Sequence, residues 1–358
     1  MTPRIRVLVV DDSVVMRRVI TEALSQDPAF EVVGVAANGA IALQKISQLS
    51  PDAVTLDVEM PELNGVETVR AIRRTHPRLP VVMCSALTRD GADATLEALA
   101  AGANDWVAKP GQSTTVAETI ARISADLIPR LRALCAASPA GRRTVESPVV
   151  PAVVTRQRRR APSPDVLAIA TSTGGPNALS DLFLYLTLPL PVPVALVQHM
   201  PPVFTKSLAD RLTRETVHHF HEAEDGQELM PGHVYIAPGG RHMEVERAGV
   251  HIVARLHDAA PENSCRPAAD VLFRSIARVY GGATLACVLT GMGQDGLRGC
   301  ELIHEAGGQI LIQDEKSSVV WGMPGAIARA GIADAVLPLN RMAAEIQSRV
   351  FGLALALA

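Results

Sequence analysis

The chain has 358 residues, 48% of them apolar and 20% charged, a globular composition at a length suited to two domains, which excludes disorder and collagen-like repetition. A formal charge of −3 and 3% aromatic residues give neither an overall basic field nor many rings for base stacking, so the expectation is no nucleic-acid partner. The five cysteines (Cys84, Cys135, Cys265, Cys287, Cys300) contain no C-x-x-C pair, signal neither a disulfide framework nor a thiolate zinc site, and fit a reducing cytoplasm.

The opening MTPRIRVLVVDD is basic and then apolar, but its apolar run meets Asp11 and Asp12 too soon for a signal-peptide core and reads as a strand. From Ile5 to about Asp126 short β-branched runs alternate with helix-length stretches. The runs are Val7 to Val10, Val32 to Val35, Ala53 to Leu56, Val81 to Ser85 and Asn104 to Val107. Such βα repetition predicts a doubly wound parallel sheet over residues 1–127. Between Arg130 and Pro164 eight arginines stand against one acid, Glu146, with five prolines, so residues 128–164 read as a Pro/Arg-rich linker. Its RQRRR run, Arg156 to Arg160, reads first as a solvated basic segment and second as a patch for an acidic surface.

A second α/β domain is expected over residues 165–351. Strands are predicted at Val166 to Ala170, Val194 to Val197, Val234 to Ala237, Thr284 to Leu289 and Gln309 to Ile312. Helices are predicted at Asn177 to Leu186, Phe204 to Glu215, Ala268 to Arg278, Leu297 to Glu305 and Met342 to Val350. The stretch Leu182 to Val197 is apolar but interrupted by Pro189, Pro191 and Pro193 and shorter than the ~20 residues of a membrane span, so no direct membrane insertion is expected.

In the first domain Asp11 and Asp12 follow the first strand and Asp57 ends the third, so three carboxylates meet where an open parallel sheet borders its ligand crevice. Such a cluster calls for a cation, and hard oxygen ligands of this kind suit Mg²⁺, which also takes phosphate oxygens. Ser85 closes the fourth strand with a hydroxyl and Lys109 the fifth with an ammonium, completing a setting for phosphoryl chemistry. An isolated Asp at a strand end is more often a helix cap; here the matching positions recur over successive units.

VLVVDDS, LDVEMPELNG, MCSA and VAKP occur in that order, and over about 120 residues the chain resembles response-regulator receiver domains, which have a flavodoxin-like fold with a five-stranded parallel sheet. The resemblance implies phosphorylation of Asp57, Mg²⁺ at Asp11, Asp12 and Asp57, and sensing of the phosphoryl group by Ser85 and Lys109. Trp106 stands at the family's switch position, where Tyr or Phe is more common.

In the second domain a strand runs into Thr171-Ser172-Thr173-Gly174-Gly175-Pro176 and then a helix. A tight strand-to-helix turn exposes a serine Oγ, and the helix N-terminus can stabilise an oxyanion. A glycine-rich phosphate loop is the competing reading, but no G-K-[ST] follows and no acid stands ~20 residues on to hold a ribose. Among ten histidines, His199 follows a strand at the same rim as Ser172, with His242 a weaker rival. Asp295, in the glycine-flanked turn Leu289 to Gly296, is either an orienting acid or a helix cap. Together they supply nucleophile, base and orienter, in the chain order Ser, His, Asp.

TSTGGP, VQHMPPVFTKSLADRL, YIAPGGRHM, CRPAADVLF, LTGMGQDG and WGMPGAIARAG then resemble the chemotaxis protein-glutamate methylesterases, the CheB family. With the receiver in front, the resemblance covers the chain apart from the linker and the tail after about Val350. It implies a doubly wound α/β methylesterase domain with Ser172, His199 and Asp295 as its triad, main-chain groups of Thr173 and Met292 as oxyanion-hole candidates, and Arg266 near the site and the domain contact. It further implies hydrolysis of receptor glutamate methyl esters, glutamine deamidation, no cofactor for the esterase, chemoreceptors as substrate, a chemotaxis histidine kinase as phosphodonor, and a monomer whose unphosphorylated receiver covers the cleft. The readings weighed against this are a non-catalytic adaptor, a paralogue serving another signalling pathway, and a DNA-binding output, for which there is no helix-turn-helix pattern.

Overall fold

A computed structural model of the chain describes residues 4–110, 115–137 and 163–352. They divide into two compact units on either side of residues 146 and 147.

In the first unit β1 (Ile5–Val10), α1 (Val14–Ser25), β2 (Phe30–Ala36), α2 (Gly39–Leu49), β3 (Ala53–Asp57), α3 (Gly65–Thr75), β4 (Val81–Ser85), α4 (Arg89–Ala100), β5 (Asp105–Ala108) and α5 (Val116–Ala137) alternate without interruption. The strands form one parallel sheet in the order β2-β1-β3-β4-β5. Every residue of β3 and β4 is buried, as a parallel strand covered on both faces requires. Ser13 caps α1 by accepting from Met16 N–H at 3.3 Å, and Asn64 with Glu67 forms a capping box on α3, so these helices start where short polar side chains can satisfy their first amides.

The boundary expected at residue 127 falls inside α5, which runs to Ala137 and buries Leu127, Leu131 and Leu134. Arg130 and Arg132, counted with the linker arginines, lie on a helix whose leucines pack at helical spacing. Residues 138–162, with Arg156 to Arg160, and the LALALA tail from residue 353 lie outside the described residues.

The second unit contains β6 (Val166–Thr171), α6 (Gly175–Tyr185), β7 (Val194–Gln198), α7 (Phe204–Glu215), β8 (His219–Glu222), β9 (His233–Ile236), β10 (His242–Ala248), β11 (His251–His257), α8 (Ala269–Tyr280), β12 (Thr284–Val288), α9 (Leu297–Glu305), β13 (Gln309–Gln313), α10 (Met323–Ala330), β14 (Ala335–Leu337) and α11 (Leu339–Val350). A seven-stranded parallel sheet runs β14-β13-β12-β6-β7-β9-β8, and β10 and β11 form a separate antiparallel pair. The elements absent from the sequence reading are β8, β10, β11, β14 and α10. The strands among them are short, polar or partly exposed, so they lack the continuous apolar run that marks a buried parallel strand. The fully buried β6, β7 and β12 form the centre of the sheet.

Both sheets reverse direction next to their first strand, between β1 and β3 in one and between β6 and β12 in the other. Crevices at the carboxyl ends of strands open at such switch points. Among the described residues no helix is long and apolar enough to cross a membrane.

Candidate functional site

At the switch point of the first unit, Lys109 Nζ lies 2.8 Å from Asp11 Oδ2 and 2.7 Å from Asp57 Oδ2. Asp11 is fully buried and Asp57 nearly so, while Asp12 is exposed. Ligand oxygens of Asp11, Asp12 and Asp57 all lie within 4.8 Å of one another. Burial, opposed by the Lys109 charge and reinforced by that of Asp11, pushes the Asp57 carboxyl up to about 6. Burial pulls Lys109 down, but the Asp57 and Asp11 charges outweigh it and hold the ammonium above its ordinary range. One ammonium thus serves two carboxylates while the third oxygen donor faces outward, an arrangement that fits a hard divalent cation retaining some of its waters. Ser85 lines the same pocket as Asp12, Asp57 and Lys109. Its Oγ donates to Gly91 O at 3.0 Å. Trp106 is buried, 5% exposed, in β5.

In the second unit Ser172 follows β6 and is 9% exposed. Its turn is possible because Gly174 adopts φ +76°; a side chain there would also meet Val319, and one at Gly175 would come within 2.0 Å of Gln198 Oε1. Thr290 ties this turn to the glycine-rich loop after β12. Its carbonyl accepts from Ser172 N–H at 3.0 Å and Thr171 Oγ1 at 2.9 Å, and its hydroxyl donates to Thr173 O at 2.9 Å. Gln198 Nε2 donates to Ser172 O at 3.0 Å, joining the end of β7 to the same turn.

His199 follows β7, and its Nε2 lies 2.7 Å from Asp295 Oδ2. Asp295 is buried and accepts three further bonds: from Ala269 N–H at 2.6 Å, Asp270 N–H at 3.1 Å and Asn263 Nδ2 at 2.9 Å. The two readings of Asp295 therefore hold together, since one carboxylate caps the start of α8 and orients an imidazole. Burial raises the Asp295 pKa, but the His199 and backbone hydrogen bonds prevail and leave it below the usual carboxylate range. For His199 burial acts downward, and the Asp295 and Cys265 contacts overcome it, lifting the imidazole to about 9.

With Nε2 held by Asp295, the nitrogen left for a reacting proton is Nδ1, the reverse of the trypsin-like assignment. Cys265 Sγ stands 3.6 Å from this nitrogen. Among the described residues no hydrogen bond joins Ser172 Oγ to His199. Unliganded active sites commonly hold this contact open. Met292 N–H donates to no group among the described residues. The preceding Gly291 packs so closely that a Cβ there would lie 2.9 Å from Ser172 Cβ. Arg266 Nη1 donates to Asp258 O and Ala259 O at 3.0 Å each, bracing the segment before α8. The rival His242 is consumed structurally, with Nδ1 accepting from Ala268 N–H at 3.2 Å and Nε2 3.1 Å from Ala260 O.

Asn263, Cys265 and Thr290 belong to the cluster but were not singled out from the sequence. Asn263 bridges Asp270 and Asp295, and with Ser264 it adopts positive φ, 52° and 63°, in a tight turn closed by Glu262 and Cys265. The Asn-Ser pair before the CRPAADVLF stretch was the available signal, because Asn tolerates the left-handed region.

A receiver-type sheet with a carboxylate pocket, followed by a doubly wound domain with serine, histidine and aspartate at its switch point, defines a two-domain signalling hydrolase. Residues 7–121 match the response regulator receiver domain and residues 167–346 match the CheB methylesterase family. A protein-glutamate methylesterase/protein-glutamine glutaminase of Trichodesmium erythraeum is 47% identical, the match covering 97% of this chain and 99% of that protein. One from a Nocardioides species is 51% identical over 97% of this chain and 96% of its own length. The CheB methylesterase catalytic domain of Thermotoga maritima has a solved structure 39% identical to this chain, with a TM-score of 0.50, covering 51% of this chain and 97% of that one. The chain belongs to the CheB methylesterase family.

Proposed function

We propose that the chain is a phosphorylation-regulated hydrolase that removes the methyl group from glutamate γ-methyl esters on chemoreceptors and deamidates receptor glutamines. The observation that carries this reading is the Asp295–His199 pair at the carboxyl ends of the central strands, beside the strand-to-helix turn that carries Ser172. Ser172 Oγ attacks the ester carbonyl as His199 Nδ1 takes its proton, and Asp295 stabilises the imidazolium at Nε2. Main-chain N–H groups of Thr173 and Met292, with the start of α6, receive the charge developing on the carbonyl oxygen. His199 returns the proton to the departing methanol, or to ammonia from an amide, and then draws a proton from the water that releases the carboxylate.

In the receiver unit Asp57 accepts the phosphoryl group from a histidine kinase, while Ser85 and Lys109 hold its oxygens. Asp11, Asp12 and Asp57 would hold Mg²⁺, which supplies neutralising charge for those oxygens. The gain of charge at Asp57 raises the esterase rate by shifting a pre-existing equilibrium, with Trp106 as the switch residue. The protein acts in the cytoplasm as a monomer. Methanol release from methylated receptor membranes, with and without phosphodonor and Mg²⁺, tests the whole scheme. Absence of methanol under both conditions overturns the esterase, and equal rates overturn the regulation.

A further inference from the structure

The ring of His199 has a second neighbour that the ester chemistry does not use. Cys265 Sγ and His199 Nδ1 are 3.6 Å apart, and the ligand atoms of His199, Cys265 and Asp295 all lie within 4.8 Å of one another. An imidazole nitrogen at about 2.0–2.1 Å and a thiolate sulfur at about 2.3 Å from one tetrahedral zinc ion are separated by about 3.6 Å. Asp295 takes the opposite ring nitrogen, as the outer carboxylate of carboxylate–histidine–zinc sites does, fixing the tautomer that leaves Nδ1 free to bind metal.

The position of the sulfur is built into the fold. Glu262 and Cys265 exchange backbone hydrogen bonds at 3.1 and 2.8 Å around the turn at Asn263 and Ser264. Arg274 grips both Glu262 oxygens at 2.6 and 2.7 Å, and Asn263 ties the turn to Asp295 itself. Cys265 is half-buried, whereas Cys287 and Cys300 in the same unit are fully buried.

We propose that His199 Nδ1 and Cys265 Sγ bind a thiophilic divalent cation, of which zinc is the test case, and that occupancy silences the esterase. Binding forms a metal–sulfur and a metal–nitrogen bond and releases to solvent the thiol proton and, from the imidazolium form of His199, the Nδ1 proton, leaving waters in the remaining positions. The metal then occupies the nitrogen that must receive the Ser172 proton. Mixed nitrogen and sulfur donors favour zinc or cadmium over Mg²⁺, so this site and the carboxylate pocket of the first unit select different cations. The silencing half rests on the function proposed above, and the binding half does not.

The full chain titrated with cadmium should develop a thiolate charge-transfer absorption band that is lost in both Cys265→Ala and His199→Gln, with circular dichroism showing that the variants are folded. An undiminished band in either variant overturns the site. Zinc should inhibit methanol release by the wild-type protein, with recovery on adding a chelator. In Cys265→Ser half-inhibition should require about tenfold or more zinc. Equal sensitivity of the two proteins overturns the silencing. A metal-free wild-type protein that releases no methanol but still shows the cadmium band would refute the esterase reading and leave the metal site standing.

Discussion

The two units apply one architectural rule with opposite electrostatics. Each brings its reactive groups to the carboxyl ends of parallel strands at a switch point. The first gathers full charges, with Lys109 held between Asp11 and Asp57 beside an exposed Asp12. The second confines the Asp295 carboxylate under four hydrogen bonds and leaves a hydroxyl and an imidazole each only about one-tenth exposed. A pocket proposed to admit a cation and a phosphoryl group keeps one oxygen donor, Asp12, open to solvent. A site for acyl transfer buries its acid, so that a dry, oriented carboxylate acts on the histidine.

Separating the two chemistries by mutation gives the largest expected effect. Ser172→Ala should lower methanol release by roughly 10⁴-fold or more while phosphoryl incorporation at Asp57 continues, as measured with a small-molecule phosphodonor. A loss below tenfold would break the assignment of Ser172. Conversely, Asp57→Asn should abolish stable phosphoryl incorporation and the phosphodonor response, and preserve methanol release from the unphosphorylated protein.

The electrostatic contrast predicts a pH response. With His199 at about 9, the neutral imidazole that can act as base is scarce at pH 7, so the chemical step should speed up roughly 50-fold between pH 7 and 9. A profile already flat above pH 7 would show that Asp295 and Cys265 do not hold the proton on the ring. Stability runs the opposite way. A histidine whose pKa is raised on folding contributes stability that is complete below its unfolded value near 6.5 and is lost as pH rises through about 9. Chemical denaturation followed through the second unit should therefore show stability falling over the range where the rate climbs.

A smaller effect tests the packing of the serine turn. Gly175→Ala places a Cβ within 2.0 Å of Gln198 Oε1 and 2.5 Å of Thr171 Oγ1, and should destabilise the second unit by about 1–3 kcal/mol. Calorimetry should show the unfolding transition of the second unit moving down while that of the receiver unit stays in place.

Legibility in the sequence followed distance from a strand end. Asp11, Asp57, Ser85, Lys109, Ser172 and His199 each end a strand or directly follow one, so an apolar run with a polar residue at its close revealed them. Asp295 lies seven residues beyond Val288, and its glycine-rich turn fitted a cap as well as an orienting acid. Asn263 and Cys265 come from a turn between the antiparallel β10–β11 pair and α8, outside the main sheet, where no strand-end rule applies. The helical continuation of α5 past residue 127 was hidden because Arg130 and Arg132 open the arginine- and proline-rich stretch, whose composition outweighed the leucines at 127, 131 and 134.

By itself the sequence determined the two α/β units, the ten strands with continuous apolar runs and the residue types of both sites, because these depend on local periodicity and on which groups close each strand. The tertiary structure alone decided which ring nitrogen Asp295 occupies, that the same carboxylate caps α8, and that Cys265 faces the other nitrogen. Those facts depend on segments distant in sequence converging on one imidazole, where the geometry is set by packing, backbone hydrogen bonds and a left-handed turn.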